Sequence, residues 1–149
     1  IDAFVKANTK RKLVVIGNMN TKLGKKIQST VDDSRLVFLG YVANMDILNN
    51  LRYYSNIYFH GHSVGGTNPS LLEAMASNAL ICSHKNIFNS SILNNDAIYF
   101  SNQEELIHAI EFCHKSDHQN FCSNNIDKIE KLFFWKKIIS DYEELLTEF

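Results

Sequence analysis

The segment His60-Gly61-His62-Ser63-Val64-Gly65-Gly66-Thr67-Asn68 runs without a break into Pro69-Ser70-Leu71-Leu72-Glu73-Ala74-Met75-Ala76. Glycines in a loop that opens a helix let backbone N–H groups come close to an anion, and the helix dipole adds about 0.3–1 kcal/mol. A phosphate or diphosphate is the natural guest of Gly65, Gly66, Thr67 and Asn68. Ser63 and Ser70 add short polar groups, and His60 and His62 add donors or charge. Glu73 is read as lying in the first turn of the helix. A carboxylate there either complements the dipole or accepts from two neighbouring hydroxyls, such as a ribose diol. Its neighbours Leu71, Leu72, Ala74 and Met75 are apolar, which leaves Glu73 an isolated charge at the rim of a core.

The elements that must hold this loop follow from hydrophobic pattern. Residues 12–17 form a continuous β-branched run ending in Gly17, the pattern of a strand buried on both faces. A basic helix is predicted over 21–30, and a second strand over 35–40. Asn44 is placed to cap the helix that carries Met45, Leu48, Leu51 and Arg52. A third strand spans 57–60, and Pro69 takes the first helical position, where its missing N–H costs nothing. Strands follow at 79–83 and 97–100, with two Asn-rich turns expected over 85–96. Ser101 or Asn102 caps a further helix, and an amphipathic helical tail runs from Ile126 to Leu146. This alternation predicts an α/β domain over 1–149: a Rossmann-like, doubly wound parallel sheet of about five to six strands, with helices on both faces. Ligands of such sheets bind at the carboxyl ends of the strands. Gly17-Asn18, Gly40-Tyr41-Val42 and the loop 61–68 all fall there.

Composition narrows the classes. The 149 residues carry 15 Lys and Arg against 16 Asp and Glu, so no broad basic field argues for nucleic acid as a partner. No stretch approaches the apolar length of a membrane span. The start, Ile1-Asp2-Ala3-Phe4-Val5-Lys6, reads as the interior of a longer chain, with a preceding domain expected. Cys82, Cys113 and Cys122 are too few for a disulfide framework and fit reduced thiols in a cytoplasmic protein. Cys113, His114, His118 and Cys122 have metal-like spacing, with 114, 118 and 122 on one face if a single helix carries them. Nothing supplies a fourth ligand from a separate element, so no metal is expected. Phe133, Phe134 and Trp135 read as packing between the last helix and the sheet. Lys22, Lys25 and Lys26 read as a solvated helix face, with peripheral contact to an anionic membrane surface as the alternative.

The run Asn68-Pro69-Ser70-Leu71-Leu72-Glu73-Ala74-Met75-Ala76 resembles the donor-binding motif of family-four glycosyltransferases, which have the two-domain GT-B architecture. Val15-Ile16-Gly17, Val37-Phe38-Leu39-Gly40-Tyr41-Val42 and Phe134-Trp135-Lys136-Lys137-Ile138 are similar to further motifs of that family, in the same order. The loop from His60 to Ser70 looks most like a bacterial rhamnosyltransferase-type subgroup that builds surface polysaccharides.

The resemblance implies the C-terminal donor domain of a retaining, metal-independent enzyme. Its substrate is a nucleotide-diphosphate sugar, with no further cofactor. The acceptor, a glycan or lipid-linked sugar, would be held by the N-terminal domain at the cytoplasmic face of the inner membrane. Glu73 would bind the ribose hydroxyls, Gly66, Thr67 and Asn68 the phosphate or sugar, and Tyr41-Val42 would lie near the base. The family's first motif Glu falls at Gly65, where this sequence departs from the pattern. Its diphosphate-neutralising Lys is represented here by Lys6 or Lys12 at most.

Two other classes fit part of the pattern: a non-catalytic nucleotide- or phosphate-binding module, and half of a GT-B sugar-nucleotide epimerase. A dinucleotide-binding dehydrogenase domain is excluded, because Gly17-Asn18-Met19-Asn20 is not the G-x-G-x-x-G fingerprint.

Overall fold

The computed structural model describes residues 1–147, so the last two residues of the expected 1–149 domain lie outside the described residues. In chain order the elements are α1 (Asp2–Lys6), β1 (Leu13–Ile16), α2 (Lys22–Thr30), β2 (Leu36–Gly40), α3 (Met45–Tyr54), β3 (Tyr58–His60) and α4 (Pro69–Ala76). They continue with β4 (Ile81–His84), α5 (Ile87–Leu93), β5 (Ile98–Phe100), α6 (Gln103–Phe112), a 3-10 turn (Lys115–His118), α7 (Gln119–Leu132) and α8 (Trp135–Thr147).

All described strand pairs are parallel: β1 with β2, β3 with β4, and β4 with β5, so β4 is the central strand of its group. The expected doubly wound α/β architecture is present, with its strands in two hydrogen-bonded groups rather than one continuous ladder. Shared cores join the groups. Phe59 of β3 packs with Leu13 of β1 and Leu36 of β2 against Ala3, Phe4, Ala7 and Ile110, on the side of α1 and α6. Tyr58, its neighbour in β3, packs on the other side with Leu71, Ala74 and Met75 of α4, Leu93 of α5 and Ile129 of α7. Adjacent strand residues point to opposite faces, so β3 lies between two helical layers.

Five expectations are corrected. β1 is not buried on both faces: Val14 and Ile16 are each 40% exposed. Residues 85–96 are not two turns but contain α5, whose N-cap Asn86 accepts from the Asn89 N–H. Capping and the burial of Leu93 and Asn89 outweigh the poor helix propensity of Asn and Ser. The tail is interrupted at Phe133, the C-cap of α7. The helix that follows, α8, leaves Trp135, Ile139, Tyr142, Leu145 and Leu146 exposed, so Trp135 does not pack on the sheet. Cys113, His114, His118 and Cys122 do not share a helix: they lie at the end of α6, at the two ends of the 3-10 turn, and in α7. Among the described residues no group of three or more His, Cys, Asp or Glu could hold a metal ion. No described helix is long and apolar enough to cross a membrane.

α1 was not foreshadowed by periodicity, because its five residues are too few to show any. Arg35 holds it in place. The Arg35 guanidinium donates to the carbonyls of Val5, Ala7 and Thr9 at 2.9–3.0 Å, lies over the Phe4 ring and pairs with Asp33 at 2.6 Å. Hydrogen bonds from the Arg35 side chain and backbone hold the Asp33 carboxyl down at about 2.

The turn between β1 and α2 rests on Gly24. A Cβ on this buried glycine would stand 2.6 Å from the Met19 carbonyl oxygen and 2.8 Å from the Met19 Cα. Alanine gains about 1 kcal/mol in helix propensity, but overpacking against backbone costs about 1–3 kcal/mol. Gly24→Ala is therefore expected to lower stability by a net ~1 kcal/mol, read as a lower urea midpoint. An unchanged midpoint would mean that turn 17–20 yields freely.

Candidate functional site

The carboxyl edge of the strands gathers three segments. Gly17, at φ +148°, closes β1 and donates its N–H to the Gly40 carbonyl at 2.8 Å. Asn18 folds its side chain onto the Asn20 N–H at 2.9 Å. Gly40 ends β2 at φ +70°, and Tyr41 beyond it is 80% exposed, with Val42 partly buried. Beyond β3 comes the loop 61–68.

Residues 61–67 are exposed. Among the described residues, no backbone N–H from 61–68 donates to a protein group. Gly65 adopts φ +111°, a conformation that residues with a side chain rarely take. Glutamate at that position would strain this loop path. Asn68 caps α4: its Oδ1 accepts from the Ser70 N–H at 3.0 Å and the Ser70 hydroxyl at 2.7 Å. Pro69 occupies the first helical position as read from the sequence. Thr67 and Asn68 thus deliver the chain directly to the positive end of α4.

Glu73 needs a correction. With the helix beginning at Pro69 it is the fifth residue, and no acidic residue lies in the first turn. Dipole complementarity is therefore not its role. It is not isolated either: Arg52 Nη2 of α3 donates to Glu73 Oε2 at 2.6 Å. Arg52 is largely buried, and its Nη1 also donates to Asn49 Oδ1 at 3.0 Å. Glu73 lines an open depression of about 540 Å³ with Asn49, Tyr53, Ser77 and Ile126. The Arg52 partnership was not legible in the sequence, because it depends on the packing of α3 against α4.

Under the loop, His60 is 1% exposed and its ring stacks on that of His62 at a centroid distance of 4.7 Å. His60 Nε2 is buried without a hydrogen-bond partner among the described residues. Lys6 and Lys12 do not reach the loop's strand end: Lys6 donates to Gln103 at 2.7 Å, and Lys12 precedes β1 at the opposite end of that strand.

No protein-family model matches the chain, and no curated protein matches it either. Among solved structures, it is similar to HepE from Anabaena, crystallised in complex with UDP-glucose. The TM-score is 0.76 at 16% sequence identity, over 99% of this chain and 44% of that one. The chain therefore spans less than half the length of that protein. At this identity the likeness shows the fold, the Rossmann-like half of a GT-B architecture.

The buried histidine carries a pH prediction. Burial, with a smaller push from the charge on His62, lowers the His60 pKa from 6.5 to about 4. The unfolded chain binds this proton near 6.5 and the folded chain only near 4. In that window the unfolded state holds more protons, so stability is expected to fall as pH drops from about 6.5 to about 4. Urea unfolding followed from about pH 7 to about pH 4.5 should show the loss, and His60→Phe should flatten it. An equal slope in the variant would assign the loss to other groups.

Proposed function

We propose that the domain binds a nucleotide-diphosphate sugar at the carboxyl edge of its strands and serves as the donor half of a glycosyltransferase. The observation that carries this reading is the run of backbone N–H groups over 61–68 that donate to no protein group among the described residues, delivered to the N-terminus of α4. That arrangement suits a diphosphate. The fold shared with HepE, whose crystal structure contains UDP-glucose, supports the same reading, as does the resemblance of residues 68–76 to the family-four motif.

Glycosyl transfer breaks the bond between the anomeric carbon and a diphosphate oxygen. Negative charge grows on the departing diphosphate as the sugar takes on oxocarbenium character. Amides of Gly66, Thr67 and Asn68 and the α4 dipole would stabilise that charge without a metal. Glu73 would accept from the ribose hydroxyls. Arg52 engages Oε2, and among the described residues nothing is bonded to Oε1. Gly17, Asn18, Tyr41 and Val42 border the base, and His62 the sugar or phosphate. The acceptor, a glycan or lipid-linked sugar of bacterial polysaccharide synthesis, would be held by a second domain at the cytoplasmic face of the membrane. The 149-residue chain is accordingly expected to bind donor and to transfer no sugar by itself.

A second reading, a non-catalytic nucleotide-binding module, is favoured by Gly65 in place of the first motif carboxylate and by the Arg52 bond. On this second reading that bond is the whole use of Glu73.

A thermal-shift panel of UDP, GDP, dTDP and ADP, with phosphate as control, tests binding. At 100 times its Kd a ligand adds about 2.7 kcal/mol, enough to raise Tm by several degrees. One nucleoside diphosphate is expected to do so and phosphate is not. Glu73→Ala is expected to lose most of the shift while costing about 1–2 kcal/mol of stability, since Glu73 is partly exposed but its loss leaves the largely buried Arg52 guanidinium without that acceptor. No shift with any nucleotide would overturn the proposal. An undiminished shift in Glu73→Ala would remove the ribose role.

A further inference from the structure

The loop 61–68 owes its entry to α5. Asn86 caps that helix, with its Oδ1 accepting from the Asn89 N–H at 2.9 Å. The cap sets two amide side chains three residues apart, on one face of the first turn. Both then turn to the same acceptor. Asn86 Nδ2 and Asn89 Nδ2 each donate to the His62 carbonyl at 3.0 Å. A carbonyl oxygen has two lone pairs, so both are used. Asn89 also donates to the His84 carbonyl at 2.9 Å, which spends both of its Nδ2 protons. Asn89 is only 5% exposed. It joins the end of β4 to the second residue past β3, and Asn86 Nδ2 supports the same two carbonyls, at 3.0 Å to His62 and 3.3 Å to His84.

The consequence lies in the peptide that follows. Its bond is trans and planar, so the His62 C=O and the Ser63 N–H point in opposite directions. With the oxygen drawn into α5, the Ser63 N–H must face away from α5. Further along, Asn68 fixes the other end of the loop by capping α4. Residues 63–67 are strung between two asparagine anchors and make no backbone donation to the protein among the described residues.

We infer that Asn86 and Asn89 are positioning residues for diphosphate binding: they orient the His62–Ser63 peptide so that the loop amides are set before the ligand arrives. Preorganised donors spare the ligand the cost of ordering them. The inference rests on the donor-site reading above.

The test is an NMR titration of the 149-residue chain, unaltered and as the Asn89→Leu and Asn86→Ser variants. The probes are the nucleoside diphosphate preferred in the panel, UDP first, and its nucleoside. Serine is a good N-cap, so Asn86→Ser keeps α5 capped while deleting one donor to His62. Losing donors to the His62 carbonyl is expected to weaken UDP about tenfold in Asn89→Leu, less in Asn86→Ser, and to leave uridine affinity unchanged. A merely structural role would lower Tm and weaken both ligands alike. The inference is overturned if the unaltered chain binds UDP and the ratio of UDP to uridine affinity stays constant in the variants. Should Asn89→Leu fail to fold, the ratio in Asn86→Ser decides. If the unaltered chain binds no nucleoside diphosphate, the donor reading fails, and this inference with it.

Discussion

Leu71, Ala74 and Met75 have no exposed surface and pack with Ala79, Ile81 and Leu93, and everything at the site hangs on that contact. α4 has eight residues, too short to be stable as an isolated helix. Burying a Leu or Met side chain stabilises by roughly 1.5–3 kcal/mol, so this face supplies what helix propensity cannot. It also fixes direction. With the apolar face seated on β4, the N-terminus of α4 is held at the carboxyl edge of β3, and the loop before it has one short path to follow. The anion-binding geometry is thus a by-product of hydrophobic burial. The residues that create it are not those that would touch a ligand.

Much of this was legible from local pattern. Continuous apolar runs gave all five strands, and the apolar Leu71, Leu72, Ala74 and Met75 marked the helix after Pro69 as bordering a core. What stayed hidden was where several side chains of low propensity act together. Asparagine weakens helix interiors, and from that rule 85–96 reads as turns. In the structure the same residue type does the opposite work at the boundaries. Asn44, Asn68, Asn86 and Asn102 cap α3, α4, α5 and α6, while Asn78 and Asn94 take positive φ just beyond α4 and α5. An Asn-rich chain can therefore hold many short helices, provided each also buries an apolar face. The interruption at Phe133 was hidden for another reason: apolar spacing continues across it, and nothing in the spacing marks the break.

The site divides in the same way. The loop, its glycines and Pro69 could be read from sequence because their chemistry is local. Arg52 could be seen on α3 but not as the partner of Glu73, since the pair forms across two helices. Asn86 and Asn89 were hidden inside a segment read as irregular, so the support of the loop vanished with the helix that carries it. Arg35 binds backbone carbonyls of α1 and the segment after it, and a carbonyl leaves no trace in a sequence.

These hidden partners share an electrostatic logic. A diphosphate is repelled by any uncompensated carboxylate nearby. Glu73 stands in the second turn of the helix whose N-terminus faces the loop, and a free carboxylate there would repel a bound diphosphate directly. The guanidinium of Arg52, 2.6 Å from its Oε2, compensates that charge while leaving Oε1 to accept hydrogen bonds. The loop's anchors are neutral amides, Asn86 and Asn89, and its cap is Asn68. An aspartate at Asn89 could not donate to two carbonyls and would bring charge to a buried position. Burial keeps His60 neutral at physiological pH, so it adds no fixed charge beneath the loop. Oriented dipoles of unpaired N–H groups remain as the attraction these residues offer an anion. Such dipoles recognise the shape of a bound phosphate, where a mobile lysine would respond mainly to its charge.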